Sequence, residues 1–244
     1  SRISTLAVRD GDSFVINGSK TFVLDGHCAD KLLLVTRSEG EERAEDGLTL
    51  FLVDRENPGI SVERTIMVDS RNAANIRCEN LRLGKDAVVG EIGNAWPLLD
   101  AVLDRGRVAL AAEMMGLALE ASERPGAYLP EREQFGANRG SFQALQHRAA
   151  IMQADIELCR SVLLQALTAV DETPEQLPML ASLAKTRLNE LVLLVTNEAV
   201  QMHGGIGVTD ELDIGFFLKR ARVAIQVFGD SGFHRDRYAT LCGY

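Results

Sequence analysis

One carboxylate sits between two glycines in Phe228-Gly229-Asp230-Ser231-Gly232, a short way after Lys219-Arg220. Glycines on both sides let a backbone re-aim a carboxylate, so Asp230 with Gly229 is a candidate proton acceptor. Asp is also a preferred helix cap, and the sequence leaves both roles open. A second cluster, Gln201-Met202-His203-Gly204-Gly205-Ile206-Gly207, places three glycines within four positions. Such backbone can approach a phosphate or a ring closely, and it is also how a helix ends. The third cluster is Tyr128–Gly136 (YLPEREQFG), followed by Phe142-Gln143 and Gln146-His147. There Arg132 offers a planar fork suited to a pyrophosphate and Phe135 a face for an adenine ring. Gln143 can hydrogen-bond a nucleotide without adding charge. Taken one at a time, these are residues of ordinary surfaces and helix ends, and His203 alone reads as a structural histidine.

Other chemistries are disfavoured. The four histidines and four cysteines are too dispersed for a metal site. Ser231 lacks the nucleophile-elbow pattern. Cys28, Cys78, Cys159 and Cys242 include no CxxC pair and read as reduced thiols. Thirty-five acidic residues against 26 basic ones, a net charge of −9, argue against a broad nucleic-acid surface. With no signal peptide and no apolar run of ~20 residues, a soluble cytoplasmic chain without membrane insertion is expected.

The elements that must position these clusters change character near residue 90. Thr5–Val8 and Ser13–Ile16 flank Asp10-Gly11, and Asn17-Gly18 follows, so two tight turns are expected between three short strands. Lys31–Arg37 and Leu48–Asp54 are apolar β-type runs around a charged stretch, Glu39–Asp46, which reads as a solvated hairpin loop. Ile60–Thr65 and Asn75–Leu83 complete roughly seven strands, enough for a small antiparallel barrel or sandwich. Further on, Leu145, Ala149, Met152, Ile156, Cys159, Leu163, Ala166 and Val170 form one apolar stripe on a helix that Thr173-Pro174 ends. Ala184, Leu188, Leu191, Val195, Ala199 and Met202 form a second, ending at Gly204-Gly205. An earlier helix is expected over Ala95–Glu123, stopping before Pro125-Gly126, and a short one after Asp230. The expected architecture is α+β and multidomain: a β-domain over residues 1–90, then an antiparallel four-helix bundle over 94–244.

In order, these clusters resemble the acyl-CoA dehydrogenase superfamily. Gly11-Asp12 with Asn17-Gly18-Ser19-Lys20, and then Ala29-Asp30, look like its β-domain hairpin. Arg132-Glu133-Gln134-Phe135-Gly136 with Gln143 looks like its R-x-[QT]-F-G…Q segment, and Gln201 with Gly204-Gly205 and Gly207 its Q-x-x-GG-x-G turn. The family opens with a helical domain and a Thr-Glu-Pro segment, so this chain is expected to begin inside the β-domain.

The resemblance implies FAD-dependent α,β-dehydrogenation of an acyl-CoA thioester, with an electron-transfer flavoprotein as acceptor. It implies FAD contacts from Arg132, Gln134, Phe135, Gln143, Gln201, Gly204 and Gly205, several across a subunit interface of a homo-oligomer (dimer or tetramer). Phe22 stands where the family has a flavin-facing Trp, and Leu24 where it has a Thr. Arg107 matches an arginine near the family's substrate site. The catalytic glutamate is the main departure. Counted from Arg220 and Gln226 its position falls on Gly229, and its alternative falls on Gly106, leaving Asp230 as the nearby carboxylate. Small residues at Gly106 and Ala224 suggest a roomy pocket. The runner-up is a non-catalytic or half-site subunit paired with a related chain. Behind it stand oxidases and the nitroalkane-oxidising branch, which uses an aspartate base.

Overall fold

The computed structural model describes residues 2–244. The chain divides into two compact units, one ending at Asp100 and one spanning Ala101–Tyr244.

The first unit is a sheet of β1 (Leu6–Asp10), β2 (Ser13–Leu24), β3 (Lys31–Arg37), β4 (Leu48–Asp54), β5 (Ile60–Ile66), β6 (Asn72–Gly84) and β7 (Val88–Val89). Their order is β5-β6-β2-β1-β3-β4-β7. The apolar runs that read as strands in the sequence put Leu32, Leu34, Phe51 and Val53 inward, with Phe14, Ile16, Ile76 and Leu81. Phe14 meets Phe51 edge-on, with ring centroids 5.1 Å apart. The α+β architecture is as expected, but the sheet is open rather than a closed barrel. It is also mixed, because β1 meets β3 in parallel at Leu6↔Arg37.

Asn17-Gly18 is not a turn. β2 runs straight through it, and the pairing with β6 shifts register between Ile16 and Gly18. This is a bulge: Gly18 has φ +144°, and a Cβ there would stand 2.7 Å from Thr5 Cα. The charged 39–46 loop is more ordered than its composition suggests. Buried Arg37 donates from its guanidinium to the carbonyls of Ile3, Glu39, Glu42, Ala44 and Asp46.

Five α-helices follow among the described residues: α1 (Trp96–Glu131), α2 (Gln143–Asp171), α3 (Leu177–His203), α4 (Ile214–Ala224) and α5 (Ser231–Leu241). The stripes of α2 and α3 interlock, with Ile156, Cys159, Leu188, Val195 and Ala199 fully buried. Two helical expectations need correction. α1 does not stop before Pro125-Gly126 but passes through Pro125 and Pro130. Pro125 is itself buried, and its burial offsets the lost backbone hydrogen bond. The second is α4, which is a helix where none was expected, so the bundle holds more than four helices. Gly215 and three cations weaken its local signal, while Ile214, Ala221 and Ala224 anchor it to the core.

Candidate functional site

The Tyr128–Gly136 and Gln201–Gly207 clusters meet. After α1 the chain forms a tight hairpin, β8 (Glu133–Gln134) with β9 (Ala137–Asn138). Phe135 and Gly136 sit at its tip with φ of 58° and 77°, the pairing of two positive values that a two-residue turn requires. The turn leaves Phe135 88% exposed, with its ring edge-on to Phe142 at 6.4 Å. Two contacts dock this segment on the end of α3. Tyr128 stacks on His203 at 4.8 Å, and Arg139 donates to the His203 carbonyl at 3.5 Å. His203 is structural: it is buried, and its Nδ1 lies 2.7 Å from the Ala199 carbonyl one turn back. Gly204, with φ +71°, ends α3 and turns the chain into Gly205–Val208.

The side chains of Arg132, Gln134, Gln143 and Gln201 are exposed, and among the described residues they make no hydrogen bond or ion pair. A Cβ at Gly205 would meet nothing within 4 Å. One cation, three amides, an aromatic face and an open glycine suit a phosphorylated, aromatic ligand such as the adenine–pyrophosphate half of FAD.

The Phe228–Gly232 cluster lies elsewhere. It packs against the first half of α3 at Lys185, and from Lys185 to His203 is about 27 Å at 1.5 Å per residue. Asp230 is the N-cap of α5, its Oδ1 accepting from the Phe233 N–H at 2.8 Å. Before it, Phe228 and Gly229 have φ of 60° and 113°. The Phe228 carbonyl accepts from Arg107 Nε at 3.4 Å and lies 3.0 Å from His234 Nε2. Behind these stands a buried ionic frame. Asp104 accepts from Arg107 at 2.6 Å and from Arg237 at 2.8 and 2.9 Å. Arg107 is thus held inside the fold, where it grips this turn.

The residue the sequence reading missed is Lys185, which is fully buried. Its ammonium donates to Asn189 Oδ1 at 2.7 Å, the Ala224 carbonyl at 3.0 Å and the Gly229 carbonyl at 3.1 Å. Burial pushes it down to about 7, with Asp230 opposing and Arg107 adding to the shift. His234, also buried, is pushed down to about 4 by burial, then by Arg107 and Lys185. A signal existed for the lysine: Ala181, Lys185, Leu188 and Val192 form a buried row at helical spacing, with one cation in it.

Both glycines at the expected glutamate positions are enclosed. A Cβ at Gly229 would lie 2.5 Å from Phe233 and 2.8 Å from His234, and one at Gly106 would lie 3.2 Å from the Phe228 ring. A methyl at Gly106 would press on the Phe228 ring, and Ala224 is fully buried in the helical core. Phe22, in the first unit, is 61% exposed with φ 51° at a second bulge of β2, and Leu24 is also exposed. Among the described residues no group of His, Cys, Asp and Glu could hold a metal ion. No described helix is long and apolar enough to cross a membrane.

The family model for the acyl-CoA dehydrogenase middle domain matches residues 1–81, and that for the C-terminal domain matches residues 93–240. The short/branched chain specific acyl-CoA dehydrogenase of Rattus norvegicus is 29% identical over 240 residues, covering 97% of this chain and 55% of that protein. The cyclohex-1-ene-1-carbonyl-CoA dehydrogenase of Syntrophus aciditrophicus is 30% identical over 224 residues, covering 91% and 54%. A solved acyl-CoA dehydrogenase from Geobacillus kaustophilus superposes with a TM-score of 0.93 at 26% identity, covering 99% of this chain and 64% of that one. The chain thus spans about half the length of the curated relatives it matches.

Proposed function

The chain belongs to the acyl-CoA dehydrogenase family, and we propose that the protein carries out FAD-dependent α,β-dehydrogenation of an acyl-CoA thioester. One observation carries this: Lys185, Arg107 and His234, from three helices, converge on the backbone of the single turn that presents Asp230. A turn held in two positive-φ residues by buried polar groups is the arrangement expected where backbone geometry matters to chemistry.

Arg132, Gln134, Phe135, Gln143, Gln201, Gly204 and Gly205 would hold the adenine–pyrophosphate half of FAD. When bound, FAD supplies the two-electron acceptor of the reaction. In this proposal Asp230 takes the α-proton of the substrate. Its second carboxylate oxygen is free to do so while the first caps α5. A backbone N–H of the Gly229–Asp230 segment stabilises the enolate-like thioester oxygen. The roughly 27 Å between the two regions along α3 supports a site completed across subunits of an oligomer, with an electron-transfer flavoprotein as the acceptor downstream.

Two observations favour a second reading, that this chain is the non-catalytic partner of a related, glutamate-bearing subunit. Asp230 is engaged as a cap, and a side chain at Gly229 would collide with Phe233 and His234. Anaerobic titration of the full-length flavoprotein with acyl-CoA separates the two. Bleaching of the flavin by the protein alone supports the first reading. Bleaching only after a glutamate-bearing relative is added moves the assignment to the second.

A further inference from the structure

Lys185 is fully buried, a costly place for an ammonium unless each N–H is matched. All three are matched, and two of the three acceptors are main-chain carbonyls of the segment that leads into Asp230. Ala224 is the last residue of α4, whose terminal carbonyls lack partners in the helix. Gly229 is the residue before the α5 cap. The lysine therefore ties both ends of the 224–229 connection to α3.

The hold on Gly229 has a directional consequence. A trans peptide is planar, with its C=O and the following N–H pointing in opposite directions. Drawing the Gly229 carbonyl inward onto Lys185 turns the Asp230 N–H away from the buried lysine. That N–H meets no acceptor among the described residues, and Asp230 itself is exposed. The Phe228 carbonyl is fixed separately by Arg107 and His234, which leaves the Gly229–Asp230 peptide as the part that Lys185 controls.

We propose that Lys185 is the positioning residue of this turn: by holding the Ala224 and Gly229 carbonyls, its ammonium aims the Asp230 N–H and carboxylate outward as one rigid unit. The charged and titratable groups around it are few. They are Asp230 on the turn, Asp104 and Arg107 on α1, and His234 and Arg237 on α5, while its own helix contributes the neutral Asn189. The claim about the turn stands on these contacts, and only its consequence for turnover rests on the proposed function.

The test uses the full-length flavoprotein and two readouts. Amide hydrogen exchange across residues 225–234 needs no substrate. In Lys185→Met, which fills the volume without donors, exchange there should quicken about tenfold, the worth of a lost charge-assisted bond, with α2 and the rest of α3 unchanged. Lys185→Gln, which keeps two N–H donors, is the milder variant and should fall between. Lys185→Arg should restore part of the protection. The second readout is the rate constant of flavin reduction against the affinity for acyl-CoA. Lys185→Met should lower the first about tenfold and leave the second within about twofold, a split that general loosening of the fold does not give.

Exchange in Lys185→Met that matches the wild type overturns the proposal. So does a wild-type turn that already exchanges at unstructured rates, a result that needs no variant. Wild-type protein that never reduces its flavin, while the exchange results hold, overturns the proposed function and leaves the positioning role intact.

Discussion

Arg237 grips both oxygens of Asp104, Nη1 on Oδ1 at 2.8 Å and Nη2 on Oδ2 at 2.9 Å, joining α5 to α1 across 133 residues of sequence. Arg107 shares the same carboxylate at 2.6 Å. Two guanidiniums thus depend on one buried anion, and the turn before α5 depends on one of them.

Asp104→Asn should therefore be among the more damaging isosteric changes in the helical unit. It removes the charge that two buried cations share, at a cost of about 3–5 kcal/mol. Urea denaturation of the variant beside the wild type measures it. A loss below 1 kcal/mol would show that the frame is dispensable.

Gly229→Ala should be costly for a different reason. The residue has φ +113°, and the added Cβ would stand 2.5 Å from Phe233 and 2.8 Å from His234. Positive-φ strain and the ring displacement together should cost about 2–4 kcal/mol. The same crowding predicts that Gly229→Glu will not by itself install a working base. A Gly229→Glu variant with wild-type stability would contradict the packing described here.

Stability should climb in two pH windows. His234 is depressed from 6.5 to about 4. A base with a depressed folded value adds stability that is present above its unfolded value and lost as pH falls through the folded one. Stability should therefore fall between about pH 6.5 and pH 4, by roughly 1–3 kcal/mol for this group. Lys185, depressed from 10.5 to about 7, gives the same sign higher up, with stability rising from about pH 7 towards 10.5. Lys20, depressed by burial to about 8, contributes in the same direction. Comparing Lys185→Met with the wild type at pH 7 and pH 9.5 isolates the lysine. An equal rise in both proteins would remove it from the account.

Arg132→Ala should weaken FAD binding in the full-length protein by ~1.5–3 kcal/mol, the worth of a charge-assisted hydrogen bond. Arg132 is exposed and carries no internal partner among the described residues, so folding should be untouched. Flavin content after dialysis checks it, and unchanged occupancy would take Arg132 out of the site.

Much of this fold was legible because local patterns were sufficient for it. Strands β3 and β4 read directly from Leu32, Leu34, Phe51 and Val53, and α2 and α3 from their stripes, because one face of each must be buried. Asn17-Gly18 misled because the dipeptide that favours a turn also favours a bulge, and the choice was made by Thr5 packing against Gly18. The site was half legible. Exposed residues such as Arg132 and Phe135 stand in local motifs, whereas Lys185 and Arg237 reach partners 39 to 133 residues away. No local pattern encodes contacts of that span.

Asp230→Asn decides between the two functional readings. Asn is about as good an N-cap as Asp, so the acceptance from Phe233 N–H should persist and Tm and flavin content should hold. An amide cannot take up the substrate's α-proton. If Asp230 is the base, α-proton exchange with solvent and flavin reduction should fall ~10²–10⁴-fold, the usual contribution of a general base. If Asp230 only caps α5, the variant should behave as the wild type does in every assay. Should the wild type bleach its flavin only beside a glutamate-bearing partner, and the variant do so equally well, the carboxylate that does the chemistry belongs to the partner. This chain's turn would then survive as scaffold.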